Sequence, residues 1–458
     1  MPVRTIPGSD VQYHLINFDA DGVERAASDG TMLSELVRKR VADPADGITD
    51  VFFCSHGWQG DVPAAIEQYD KWVAAMAQSP DSTLIRARQP GFKSIVVGVH
   101  WPSLPFGDEN IPGTGGVLGA DDGTNIEAQI DAYAASIANT QTARDAIRTI
   151  LIAAEQDDGE RDELPDHVRN AYETLAREAS LPSGGDNPGA APGEEQGAWN
   201  ADAVYEEARA SAVSEADGGE AAPGLLSGGL LGKLKGLVVA PLQQMSFWKM
   251  KDRARAIGEG GAHALLIALQ NAAPASTRFH LMGHSFGCIV MSATVAGAPG
   301  GIPLPRPVDS LFLVQGAVSL WSYSPDLPIA PGKVGYFNRI LQQQLVRGPI
   351  VTTHSTFDRA VGRLYPAAVR VKSQFLLGDA YPKYGGIGSF GIQGVGAGGT
   401  NMTMQSAEHE YAFEPGHVYN LESSGVIKNG GGFSGAHSDI AHPEVAHAMW
   451  QAVMRSTP

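Results

Sequence analysis

Residues 277–298 read TRFHLMGHSFGCIVMSATVAGA. TRFHLMG (277–283) has the make-up of a strand, and CIVMSATVAGA (288–298) that of a buried helix of small and apolar residues. Between them, Gly283-His284-Ser285-Phe286-Gly287 fits G-x-S-x-G, in which a serine sits on a strained strand-to-helix turn and its neighbours must be small. Three fixed positions arise by chance in a chain with 55 glycines among 458 residues, so the flanking strand and helix carry the reading more than the match does. In that setting Ser285 is a candidate nucleophile. The competing reading is a glycine turn without chemistry.

Working outward, the same alternation continues. Downstream, VDSLFLVQGAV (308–318), GPIVTTHSTFD (348–358) and GHVYNLES (416–423) read as strands, and HPEVAHAMWQAVMR (442–455) as a closing helix. Upstream, SFWKMKDRARAIGEGGAHALLIALQNA (246–272) reads as a long helix with Gly258, Gly260 and Gly261 as points of interruption. VQYHLINFD (11–19) alternates as a strand, and DGVER after it signals a hairpin turn. TDVFFCS (49–55) and FKSIVVGVHW (92–101) are near-continuous apolar runs, as in strands covered on both faces. The helical spacing of VPAAIEQYDKWVAAMAQ (62–78) between them makes a parallel crossover unit. The fold class is α/β, with a mostly parallel central sheet flanked by helices.

From Pro102 to about Leu242 the pattern breaks. Helical stretches are expected at 142–156 and 164–178, followed by SLPSGGDNPGAAPGEEQG (180–197), whose composition predicts a mobile acidic linker. The chain therefore divides into a first part of the core (1–102), an insertion or cap (103–244) and a second part of the core (245–458). Hydrophobic content of 43% and charged content of 18% fit a globular protein. A net charge of −17 disfavours nucleic acid and anionic membranes as partners. The start, MPVRTIPGSD, carries no apolar secretory segment, so a cytoplasmic location is expected. The apolar stretch 224–242 is broken by two lysines and several glycines; it reads as a helix on the core, or a lid, in preference to a membrane contact. Cys54 and Cys288 lie in apolar runs and read as buried reduced thiols.

A serine hydroxyl needs a base within hydrogen-bond reach, itself oriented by a third group, and the elbow template orders them serine, acid, histidine along the chain. Five histidines follow Asp358: His409, His417, His437, His442 and His447. His447 has apolar neighbours at helical spacing, His442 precedes a proline at a helix start, and His417 falls in a strand. His437 occupies the loop GGGFSGAHSD and is the preferred base, with His442 the alternative. Asp358 follows a strand, where sites of parallel sheets assemble, which favours it as the acid over Asp309; Asp379 also competes, as does a plain surface-loop role for Asp358. Two donors for a developing oxyanion are expected: the backbone N–H of Phe286 and, because His56-Gly57 in FFCSHGWQGD (52–61) resembles the HG motif that opens oxyanion loops in esterases, that of Trp58. His56, Gly57 and His284 are candidates to line the substrate pocket. No metal ligand set, Walker-type loop or G-x-G-x-x-G strand-to-helix loop is present, so no metal or cofactor is expected, and GIGSFGIQGVGAGG (386–399) reads as a flexible surface loop.

SHGW (55–58), GHSFG (283–287), Asp358 and His437 together resemble the α/β-hydrolase superfamily. More narrowly, DVFFCSHGWQGDV, SFWKMKDRA, GHSFG, VQGAVSLW and GAHSDIAHPEVA look like a group of uncharacterised microbial and fungal hydrolase-like proteins. The likeness covers roughly 10–100 and 245–455 and leaves 103–244 aside. It implies an α/β-hydrolase fold, with Ser285 as nucleophile, His437 as base, Asp358 as orienting acid and Trp58 and Phe286 as donors, and it brings no substrate with it. The full set of groups leads to the expectation of a small ester or acyl substrate cleaved through an acyl-enzyme. Amide or peptide hydrolysis, a phospholipase activity and a non-catalytic binding role on the same scaffold are the alternatives.

Overall fold

Adjacent residues of a strand face opposite sides of its sheet, and the apolar runs of this chain are built for two sides. In the computed structural model, which describes residues 3–7, 9, 11–57, 62–103, 126–157, 159, 161–181, 187–195, 199–217, 237–361, 381–430 and 435–456, Phe53, Val97, Leu281 and Leu311 enter one core while Phe52, Cys54, Met282 and Phe312 enter another. Each fully buried side chain of this size contributes about 1.5–3 kcal/mol, so a polar residue on either face would be costly. That is why the central strands read as unbroken apolar runs.

Among the described residues nine strands form one sheet: β1 (Val3–Thr5), β2 (Gln12–Asn17), β3 (Asp50–Ser55), β4 (Ser94–His100), β5 (Arg278–His284), β6 (Ser310–Val314), β7 (Ile350–His354), β8 (Gly399–Thr403) and β9 (Val418–Glu422). Their order is β1-β2-β4-β3-β5-β6-β7-β9-β8, and only the β1–β2 pair is antiparallel. Helices Leu33–Ala42, Ala240–Ile257 and Gly287–Ala296 cover one face; Val62–Gln78, Pro80–Arg88 and Pro443–Arg455 cover the other. The protein is thus an α/β fold with a mostly parallel central sheet. Because β2 to β9 run the same way, their carboxyl ends, and the loops that leave them, share one edge.

Several local expectations change. The long helix is interrupted as its glycines suggest: Ala240–Ile257 passes through a π-turn at Gly258–Ala262 into His263–Ala272. The insertion holds helices Ile126–Ser136, Gln141–Glu155, Asp166–Glu178 and Ala201–Asp217, which bury Ile147, Val168, Tyr172 and Tyr205 in a cluster of their own. Residues 187–195, expected within a mobile linker, are packed instead. Ala191 is buried, and Glu195 forms a buried ion pair with Lys251 of helix Ala240–Ile257 at 2.7 Å. A charge deep in the core needs its partner, and composition gave no sign of one. Likewise 386–399 is not a free surface loop: Ile387 is fully buried in the core, Gly386 bridges to Ser319, and the segment leads into β8. Cys54 and Cys288 are buried and free. Among the described residues no helix is long and apolar enough to cross a membrane; most of 224–242 lies outside them.

Candidate active site

β5 ends at His284, and Ser285 turns the chain into helix Gly287–Ala296 with φ at +56°. A serine in this left-handed region is strained, and such residues persist where their surroundings over-determine them. Here the Ser285 N–H donates to the Val314 carbonyl, and the Ser285 carbonyl accepts from the N–H groups of Cys288 and Ala317, each at 3.1 Å. The elbow glycines are required by close approach. A Cβ on Gly283 would lie 2.3 Å from the Gly287 carbonyl oxygen, and one on Gly287 would lie 2.2 Å from that of Ser55.

The other two predicted groups converge on this turn. The Ser285 hydroxyl is 2.7 Å from Nε2 of His437, whose Nδ1 is 2.8 Å from Oδ2 of Asp358. Asp358 follows β7 in a loop bridged to Gly435, so the acid's loop and the histidine's loop brace one another. The carboxylate is 1% exposed; its Oδ1 accepts the Val361 N–H at 3.0 Å, and its Oδ2 also accepts from the side-chain amide of Gln315 at 3.0 Å. With Nδ1–H donated to the acceptor-only carboxylate, Nε2 of a neutral His437 carries a lone pair facing the serine proton.

The competitors are engaged elsewhere. Asp309 bonds the Phe279 N–H at 2.7 Å and pairs with Arg347 at the opposite end of the sheet. His442 heads the closing helix with Nε2 2.8 Å from Asp439. His447 pairs with Asp81 at 2.6 Å, His409 gives its carbonyl to His447, and His417 bonds the Thr400 hydroxyl. Asp379 and Trp58 lie outside the described residues. Phe286 stands at the start of the elbow helix, its ring buried against Phe247.

Two of the residues expected at the pocket have both ring nitrogens engaged by protein. His56 is fully buried; its Nδ1–H donates to the Gly57 carbonyl at 2.6 Å, its Nε2 accepts from Nδ1–H of His100 at 3.0 Å, and its ring stacks on Trp101. Burial and the neighbouring His100 hold its pKa well below the ordinary value. His284 donates from Nε2 to the His437 carbonyl at 3.0 Å and accepts at Nδ1 from Gln68, so it steadies the backbone of the base. Burial, with His437 beside it, pushes His284 down to about 3. Both rings are neutral struts with both nitrogens committed to protein. Gly57 does face the elbow: a Cβ there would lie 2.7 Å from the Ser285 Cβ.

Gln315 and Gln68 escaped the sequence reading because glutamine has no fixed place in the elbow template. The one signal was a polar residue closing the apolar run VDSLFLVQG directly before a glycine. Compared with protein-family models, with curated proteins and with solved structures, the chain finds no match.

Proposed function

We propose that this protein is a serine hydrolase of the α/β-hydrolase fold that cleaves carboxylic esters through an acyl-enzyme intermediate. The observation that carries the reading is the strained Ser285 with its hydroxyl 2.7 Å from His437 Nε2, itself held by Asp358 at 2.8 Å. Supporting it, the three residues follow the order serine, acid, histidine and leave the same edge of the sheet after β5, β7 and β9. In this reading His437 takes the hydroxyl proton as Ser285 Oγ bonds to the ester carbonyl carbon. The carbonyl oxygen, now an anion, accepts from the N–H of Phe286 at the positive end of the elbow helix; the second donor expected from the sequence is the backbone N–H of Trp58. His437 then gives its proton to the leaving alcohol oxygen as the carbon–oxygen bond breaks. Water repeats the sequence on the acyl-enzyme and releases the acid. Asp358 accepts the Nδ1–H of His437 throughout and stabilises the imidazolium.

Labelling of the intact protein by a fluorophosphonate tests the proposal. Wild type is expected to react stoichiometrically and Ser285→Ala not at all; undiminished labelling of Ser285→Ala sinks it. A panel of p-nitrophenyl esters set against aminoacyl anilides then tests the preference for esters over amides.

A further inference from the structure

Gln315 closes β6 with φ at +46°, fully buried, a backbone conformation that side-chain-bearing residues rarely hold without compensation. The compensation is a closed set of hydrogen bonds. Its N–H donates to Thr353 Oγ1 at 3.1 Å, and the Thr353 hydroxyl donates back to Gln315 Oε1 at 3.0 Å. Its Nε2 donates to Asp358 Oδ2 at 3.0 Å and to the Gly388 carbonyl at 3.3 Å. Neither a carboxylate nor a carbonyl can donate, so the amide has only one workable orientation. Gly388 lies close behind: a Cβ there would be 2.7 Å from the Gln315 carbonyl carbon and 3.0 Å from Asp358 Oδ2.

We propose that Gln315 is a positioning residue of the candidate active site, aiming Asp358 at His437; the inference rests on the hydrolase reading above. Asp358 Oδ2 receives two N–H donors, from His437 and Gln315, while Oδ1 receives the Val361 N–H. A carboxylate held by three donors at fixed angles cannot rotate away from the imidazole. An amide does this without supplying a proton or a charge, so the only titrating partner of Asp358 in this set is His437. The strain at Gln315 is the cost of bringing a side chain on the end of β6 across to the loop that follows β7.

The test uses Gln315→Met, which keeps the length and removes the donors, and Gln315→Glu, which sets a second carboxyl against Asp358. Gln315→Met is expected to lower kcat for a p-nitrophenyl ester about 10- to 100-fold, the loss of one hydrogen bond to a charged group, with KM little changed. Gln315→Glu puts a carboxyl about 3 Å from Asp358 Oδ2, where the two share one proton; as that proton leaves, the added negative charge favours the imidazolium, and the acidic limb of the kcat/KM profile is expected to move to higher pH. The His437 titration, followed by NMR on the Nδ1–H resonance lost in His437→Ala, should move the same way and needs no turnover. Unchanged kcat in Gln315→Met together with an unmoved His437 titration in Gln315→Glu would overturn the assignment. Should Gln315→Met fail to fold, the Gln315→Glu titration decides. Absence of fluorophosphonate labelling in wild type brings down the hydrolase reading alone, since the NMR titration still tests the link from Gln315 to His437.

Discussion

The sheet carries two Ser-His-Asp groupings, one at each end. At the carboxyl edge Ser285, His437 and Asp358 come from three loops; at the amino edge Ser310, His280 and Asp50 come from β6, β5 and β3. Ser310 Oγ is 2.8 Å from His280 Nδ1, and His280 Nε2 is 3.1 Å from Asp50, so distances alone do not tell the two apart. Three physical differences do. Ser310 lies inside a strand whose backbone is committed to the sheet, whereas Ser285 sits on a strained turn at the head of a helix. Asp50 also meets Arg278 at 2.6 Å, so its charge is already balanced; beyond His437, the described partners of Asp358 are the neutral Gln315 amide and Val361 N–H. Burial pushes the Asp50 carboxyl up, but His280 and Arg278 outweigh it and hold the pKa below the ordinary value. Finally, the imidazole nitrogens are exchanged, with Nδ1 on the serine at the amino edge and Nε2 at the carboxyl edge. Residue types assemble a network; backbone strain, neutral described partners for the acid and position on the sheet set one of them apart.

The comparison breaks most sharply on the two serines. Ser285→Ala is expected to reduce kcat for ester hydrolysis by about 10⁴-fold or more, and Ser310→Ala by less than about threefold, measured by steady-state kinetics. Similar losses in both would erase the distinction. The two acids should show opposite phenotypes. Asp358→Asn is expected to cost about 10⁴ in kcat through the wrong histidine tautomer while melting near wild type. Asp50→Asn leaves Arg278 buried without its counter-charge and is expected to lose about 3–5 kcal/mol of stability with kcat kept, as read by denaturant unfolding and kinetics on the folded protein. Gly57→Ala sharpens the picture at the carboxyl edge, since the new Cβ crowds Ser285 and His284; a kcat loss of about 10²-fold is expected for a displacement of this size.

A third grouping gives the smallest effect. Ser79 and His447 both bond Asp81 Oδ2, at 3.0 and 2.6 Å. Burial alone would push the His447 pKa down, but Asp81 and the His409 carbonyl outweigh it and raise it. A histidine raised in the folded state stabilises fully below its unfolded pKa, and that stability is lost as pH rises through the folded value. His447→Gln should therefore cost more stability at about pH 5.5 than at about pH 8.5, the two losses differing by roughly 1 kcal/mol in denaturant unfolding; equal losses at both would remove the ion pair from the account.

Much of this was legible in the chain. The strands and helices around Ser285 followed from periodicity, and a place after a strand favoured Asp358 and His437 over their competitors without excluding them. The buried segment at 187–195 and the ordered 386–399 were not, because composition reports the average apolar content of a stretch and is blind to a single buried ion pair or one anchoring Ile387. The engagement of both ring nitrogens of His284 and His56 was hidden for a related reason: a histidine beside a motif looks the same in sequence whether its nitrogens face a pocket or the protein.

By itself the sequence determined the alternation of strand and helix, the two-sided apolar character of the central strands and the elbow at Ser285. Those depend on neighbours within a few positions. Only the tertiary structure decided which histidine and which aspartate meet the serine, that Gln315 stands behind the acid, and that the Ser310 grouping has its acid already paired with Arg278. Those depend on residues tens to hundreds of positions apart, 152 between Ser285 and His437 and 43 between Gln315 and Asp358, brought together because parallel strands deliver their ends to a common edge.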